Sequence, residues 1–232
     1  TDTLGCWECF REMGAPAVAH IEEIIKFERW SDEELYQIAQ DAADDGLFVS
    51  TTLYLMRSID EQGNDLDAAL ASLQNAEFVH PWVYADMGWA PESNYYSDVG
   101  SQGFFPPYLA AQEKLMPMLN ESGVILMSGT DSAVPLLVPG FSLHQELETL
   151  ADVGLSPYDV LRTSTYNPAL YLGELDEYGT VEVGKRADLV LLDANPLEDI
   201  SNTQKIAGVI VRGRYFDRSD LDTILDLVAK NY

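Results

Sequence analysis

Between residues 16 and 170 an apolar run followed by a helical pattern recurs about three times, and this recurrence restricts the fold more than any other feature. The first run, PAVAHIEE, has an apolar stretch ending in His20. SDEELYQIAQDAADDG follows, with Ser31 and Glu34 spaced as a capping box, Leu35, Ile38, Ala39 and Ala42 at helical intervals, and Gly46 as a stop. LFVSTTL, residues 47–53, reads as a strand rich in β-branched residues. The third run is GVILM, residues 123–127, preceded by the helix PYLAAQEKLMPMLNESG, which Pro117 should bend. Strand-then-helix repetition predicts a parallel sheet with helices outside it. A closed eight-stranded barrel takes about 250 residues for eight units. About three units cannot close one.

Residues 57–106 are less regular. They hold a short helix around DLDAALASL and the aromatic, loop-like HPWVYADMGWAPESNYY, an insertion expected to wall a pocket. Past GVILM, SLHQELETLADVG is amphipathic, with Leu143, Leu147 and Leu150 as its stripe and Ser142 as its expected cap. Ser156-Pro157 opens another helix in cap-then-proline order, and NPALYLG ends the helical region. From about residue 175 the texture turns to strands, ADLVLLD and IAGVIVRGRYF, before a last helix expected to start at Ser219. Texture therefore divides the chain into 1–174, 175–217 and 218–232.

A chain of 232 residues with 47% apolar content can bury a sizeable core. No stretch approaches the roughly 20 apolar residues of a membrane helix, so no membrane span is expected. Thirteen Lys and Arg against 39 Asp and Glu give a formal net charge of −26, which repels phosphate backbones and argues against nucleic acid as a partner. The acidity fits a strongly solvated surface, as in a saline, periplasmic or secreted setting. Cys6 and Cys9 form one CxxC without a second pair and read as structural.

Two residues stand where parallel α/β folds gather their ligands, beyond the carboxyl ends of strands. His20 follows PAVA, and Asp131 follows GVILMSGT. Zinc sites favour His nitrogen and Asp oxygen, and a carboxylate beside the metal can relay a proton. A lone His after a strand is also often a polar core residue or cap, and an Asp before Ser-Ala is often a turn cap. Tyr54, just past LFVSTTL, could face the same mouth. His144 lies near a helix start, and His80 reads as structural.

Four segments together resemble the amidohydrolase superfamily, in the branch of imidazolonepropionase-like enzymes and Xaa-Pro dipeptidases. They are MGAPAVAHIEE, LFVSTTL, GVILMSGTDS and the tail from SLHQELETLADVGLSPYDVLRTSTYNPALYLG through YGTVEVGKRADLVLLDANPLEDI. The resemblance covers roughly residues 12–216, and its glycine turn, Gly-Lys-Arg-Ala-Asp-Leu strand and Asn-Pro-Leu loop are characteristic of the family.

The resemblance implies the C-terminal portion of a metal-bearing (β/α)8 TIM barrel, α/β in class, with part of a small β-sandwich. Residues 1–174 would be barrel strands 6 to 8 with their helices, 175–217 sandwich strands and 218–232 the C-terminal helix. His20 falls at the family's metal-binding histidine on the sixth strand. Asp131 falls at the aspartate on the eighth, which binds metal and shuttles the proton. His144 matches a histidine for which substrate contact is expected. The family's His-x-His pair, its bridging Lys or Glu and its fifth-strand histidine have no counterpart here. One or two Zn²⁺ ions would thus need further ligands from residues outside this chain.

The expected function is metal-dependent hydrolysis of a C–N bond in a small amide, cyclic amide or dipeptide. The expected partners are the N-terminal half of the enzyme, from the same precursor or a separate chain, and further copies in a homo-oligomer. A barrel half kept as a binding or assembly module, and one subunit of a split hydrolase, are the alternatives.

Overall fold

The structure, a computed structural model, describes residues 13–14, 16–25, 29–99 and 105–231. Cys6 and Cys9 lie outside the described residues. Three short strands, β1 (Ala17–Val18), β2 (Phe48–Ser50) and β3 (Ile125–Met127), form a parallel sheet in sequential order. In register, Val18 faces Val49 and Val49 faces Leu126, and all three are buried. Side chains alternate across a sheet, so Ala17, Phe48 and Ile125 share the opposite face, where each is only half-buried. One face is thus sealed by helices and the other partly open. Sequential order without reversal is the arrangement of a barrel wall. The result is a mixed α/β fold consistent with part of a TIM barrel, and the barrel is not closed.

Helix α1 (Asp32–Asp44) begins with the predicted capping box: Ser31 Oγ accepts from Glu34 N, and Ser31 N donates to Glu34 at 2.8 Å. It packs against α5 (Phe105–Ser122), which runs through Pro117. The segment after β2 departs from expectation. The strand ends at Ser50, and α2 (Leu53–Asn64) starts where LFVSTTL was expected to continue as strand. The reason is a carboxylate from far along the chain, Glu146, which takes the first N–H groups of that helix. The insertion adds α3 (Leu66–Ser72) and α4 (Pro81–Asp86), the latter capped by His80, whose Nδ1 accepts from Trp82 N at 3.0 Å.

Helix α6 (Phe141–Asp152) is capped at Gly140, not at Ser142. Ser142 N already donates to Val138 O at 2.9 Å, so the chain turns earlier and Ser142 is buried inside the helix. α7 (Pro157–Thr163) has the predicted Ser156 cap and leading proline, and α8 (Tyr166–Leu172) stops at Gly173, whose φ of 71° suits glycine. Asn167 Nδ2 donates to Leu126 O at 2.7 Å, and Ser128 N to Thr163 O at 2.9 Å, fastening these helices to β3.

The chain then forms an antiparallel sheet of β4 (Leu189–Leu192), β5 (Ile206–Val211) and β6 (Arg214–Asp217), followed by α9 (Arg218–Lys230). Asp217 caps α9 by accepting from Asp220 N at 2.9 Å, so the helix begins at Arg218, one residue before the expected Ser219. Val190 and Leu191 on β4 remain exposed. Among the described residues no helix is long and apolar enough to cross a membrane.

Candidate active site

Three chain segments leave the carboxyl ends of the parallel strands side by side. His20 lies two residues past β1, at the N-cap position of a 3-10 turn, Ile21–Glu23, without a side-chain capping bond. Thr51 and Thr52 follow β2 directly. The run Ser128-Gly129-Thr130-Asp131 follows β3. His20 Nδ1 is 3.4 Å from Thr52 Oγ1 and 3.6 Å from Glu22 Oε1. Burial pushes the Glu22 carboxyl up, its own backbone hydrogen bond and His20 draw it down, and Glu23 and Asp131 push it up again. His20 and Asp131 thus both bear electrostatically on the Glu22 carboxyl.

The loop after β3 is strained. Asp131, Ala133 and Leu136 all have positive φ, at 50°, 79° and 64°. Such conformations cost free energy for residues other than glycine and persist only where the surroundings hold them. Here the insertion holds them. Trp89 Nε1 donates to Ala133 O at 3.1 Å, and Gln62 Nε2 to Pro135 O at 3.2 Å. Trp89, Val79, Leu136 and Val138 form a small core of their own between insertion and loop. The same insertion carries Tyr95 and Tyr96, with ring centroids 4.5 Å apart. Burial raises the pKa of both phenols, and Asp131 adds to the rise in each. The insertion is thus packed against the loop that carries Asp131.

Gly129 sits where two strand ends meet. A Cβ there would lie inside hard contact of Ser50 Oγ and 3.3 Å from Thr52 Cγ2. Gly129→Ala is expected to destabilise the fold by about 1–3 kcal/mol. Adding Ser50→Ala should recover most of that loss, because the next Ser50 atom is its Cβ at 3.7 Å. Urea unfolding of the single and double variants measures this, and no recovery in the double variant would assign the loss elsewhere.

Tyr54 and His144 are grouped differently. Burial pushes the Tyr54 phenol up to about 12, with Glu61 and Glu148 adding to it. Burial lowers the His144 pKa against the pull of Glu148. His144 Nδ1 is 3.0 Å from Thr203 Oγ1, in the 3-10 turn Ile200–Gln204. Glu148 bears electrostatically on both of them.

Glu146 went unnoticed in the sequence. It is fully buried, and its carboxylate accepts from Thr51 Oγ1, from Leu53 N at 3.1 Å and from Tyr54 N at 2.6 Å. Burial pushes it up to about 7 although these bonds and Arg57 draw it down. A separate concavity of about 660 Å³ lies on the helical face, lined by Arg57, Glu113, Lys114 and Asp152 among others. Its Arg57 is already paired, to Glu113 at 2.8 Å and Asp152 at 3.1 Å.

His20 and Asp131 are an imidazole and a carboxylate beyond the ends of two strands of one parallel sheet. His20 Nδ1 is turned toward Thr52 and Glu22. Asp131 is exposed at the strand ends. Among the described residues no group of three or more His, Cys, Asp or Glu could hold a metal. The donors present fit part of a metal site.

Comparison with known proteins gives a consistent result. The sequence profile of the amidohydrolase family matches residues 11–215. An adenine deaminase of Ligilactobacillus salivarius (strain UCC118) is 33% identical over 90 residues, covering 38% of this chain and 15% of that protein. Among solved structures, a bottromycin amidohydrolase superposes with a TM-score of 0.68 at 22% identity, over 93% of this chain and 48% of that one. An ochratoxinase of A. niger superposes with a TM-score of 0.55 at 19% identity, over 91% and 39%. The chain spans less than half the length of each of these proteins.

Proposed function

Since this chain belongs to the amidohydrolase family, we propose that it is the C-terminal portion of a metal-dependent hydrolase of C–N bonds. The observation that supports the reading is the placement of His20 and Asp131 beyond the carboxyl ends of β1 and β3 in one parallel sheet. Amidohydrolases are generally metal-dependent, and the ion proposed here is zinc, one or two per site. Such an ion, when bound, lowers the pKa of a water and polarises the scissile carbonyl.

His20 would hold the ion through Nε2, with Thr52 and Glu22 steadying Nδ1. Asp131 would be a further ligand, and its free oxygen would take the proton of the attacking water and deliver it to the leaving nitrogen. Tyr95 and Tyr96 would exclude solvent on the insertion side. Tyr54 and His144, which flank the Glu146 bonds, are proposed substrate contacts at the rim. The substrate proposed is a small amide, cyclic amide or dipeptide.

The remaining ligands are proposed to come from the N-terminal half of the enzyme. The half-buried sheet face at Ala17, Phe48 and Ile125 supports such a partner. Exposed Val190 and Leu191 support the antiparallel strands of 175–217 as part of a sandwich completed by other residues. Residues 1–174 would then be the barrel portion and 218–232 a terminal helix. Native mass spectrometry of the complete enzyme tests the reading. Zinc-sized increments on an assembled, homo-oligomeric species are expected, and His20→Ala should remove them. Full zinc content in His20→Ala would overturn the assignment of that ligand. A metal-free species that binds no second half would favour the binding-module alternative.

A further inference from the structure

Glu146 is a buried carboxylate that the proposed chemistry does not use. Its three donors, Thr51 Oγ1, Leu53 N and Tyr54 N, all lie in the turn that leaves β2. That turn has no cap of its own. Thr52 occupies the N-cap position of α2 with φ 48° and ψ 30°, and its side chain makes no capping bond. A local Ser, Thr or Asp would normally satisfy these N–H groups at the surface, without the desolvation that a fully buried carboxylate incurs. The distant acid does something a local cap cannot: it fixes the turn to α6, the helix that follows the Asp131 loop.

Thr52 is the residue this bracing controls. Its Oγ1 is 3.4 Å from His20 Nδ1, and its Cγ2 borders the space above Gly129. A left-handed threonine is unfavourable by itself, so its orientation depends on bonds on either side of it. Thr51 and Leu53, the flanking residues, are both held by Glu146.

We propose that Glu146 is a positioning residue for the strand-end site, clamping the Thr51–Tyr54 turn so that Thr52 orients the His20 imidazole for its metal. The inference rests on the reading of His20 as a ligand. The chain of action runs from α6 through the β2 turn to the end of β1, and so joins three of the site's segments.

The test uses the complete, zinc-loaded enzyme and two readouts, the rate at which a chelator removes zinc and the Tm. Glu146→Gln places an amide among three donors and should speed zinc release, by up to the about 10–100-fold expected when the outer partner of a metal-bound histidine, here Thr52, is displaced. Thr52→Val keeps the branched shape and the Glu146 bonds but removes Oγ1, and should speed release in the same direction with a smaller fall in Tm. Glu146→Gln and Thr52→Val that lose zinc at the wild-type rate would overturn the proposal, leaving Glu146 a helix cap only. If Glu146→Gln does not fold, Thr52→Val decides alone, faster release supporting the proposal and the wild-type rate overturning it. His20→Ala separates the two levels of argument: zinc lost in that variant but held normally in the others defeats only the Glu146 inference, whereas zinc retained in it defeats the ligand reading and this inference with it.

Discussion

Asp131→Asn in the complete enzyme is expected to lower kcat by about 10²–10⁴-fold, the range that a positioned general acid–base contributes, with the fold intact. Three features make asparagine the informative substitution. Asp131 is exposed, so no packing is lost. Its φ of 50° lies in the left-handed region, which asparagine tolerates better than alanine does. The bond from Val134 N to the Asp131 carbonyl, 3.3 Å, belongs to the backbone and survives. What changes is the ability to take and return a proton and the charge offered to an ion. Steady-state kinetics beside circular dichroism and Tm would read the two effects apart. Near-normal kcat would remove Asp131 from the chemistry, whereas lost activity with a collapsed Tm would point to a loop held together by the carboxylate.

The two strand-end residues were legible in the sequence because their signal is local. A β-branched or apolar run that ends in a ligand-type residue needs only a few neighbours to be noticed, and the same holds for the Ser31–Glu34 capping box. Glu146 was hidden for a different reason. Leu143, Leu147 and Leu150 mark the buried stripe of α6, and position 146 lies on that stripe, three residues after the first and four before the last. An acid in an apolar stripe is a signal, but its meaning depends on donors more than 90 residues away. The start of α2 was missed on the same account, since its cap is not in its own sequence. The left-handed Asp131, Ala133 and Leu136 carry no glycine to announce them. Their conformation is imposed by contacts with the insertion, which no local pattern encodes.

Trp89→Ala is expected to show how much of the site depends on that imposition. Trp89 is fully buried, and its indole both fills the small core with Val79, Leu136 and Val138 and donates to Ala133 O. Truncating a buried tryptophan costs about 3–5 kcal/mol, and here it also frees the carbonyl of a residue held at φ 79°. With this tether gone, the Gln62 bond to Pro135 O is the remaining side-chain hold of the insertion on this stretch, and the loop should relax at Ala133, carrying Asp131 off its line. kcat and KM should therefore both worsen, since the insertion and the proposed proton carrier move together. Trp89→Phe divides the two contributions. It retains most of the packing and loses the indole donor, and its loss should be nearer the 1–3 kcal/mol of an unpaired buried group. Urea unfolding gives the stability terms, and kinetics on the same samples gives the site terms. Stability lost by Trp89→Ala with kinetics unchanged would mean that the insertion braces the fold but not Asp131. Kinetic damage in Trp89→Phe without much lost stability would instead identify the Trp89–Ala133 bond as what holds the catalytic loop in place.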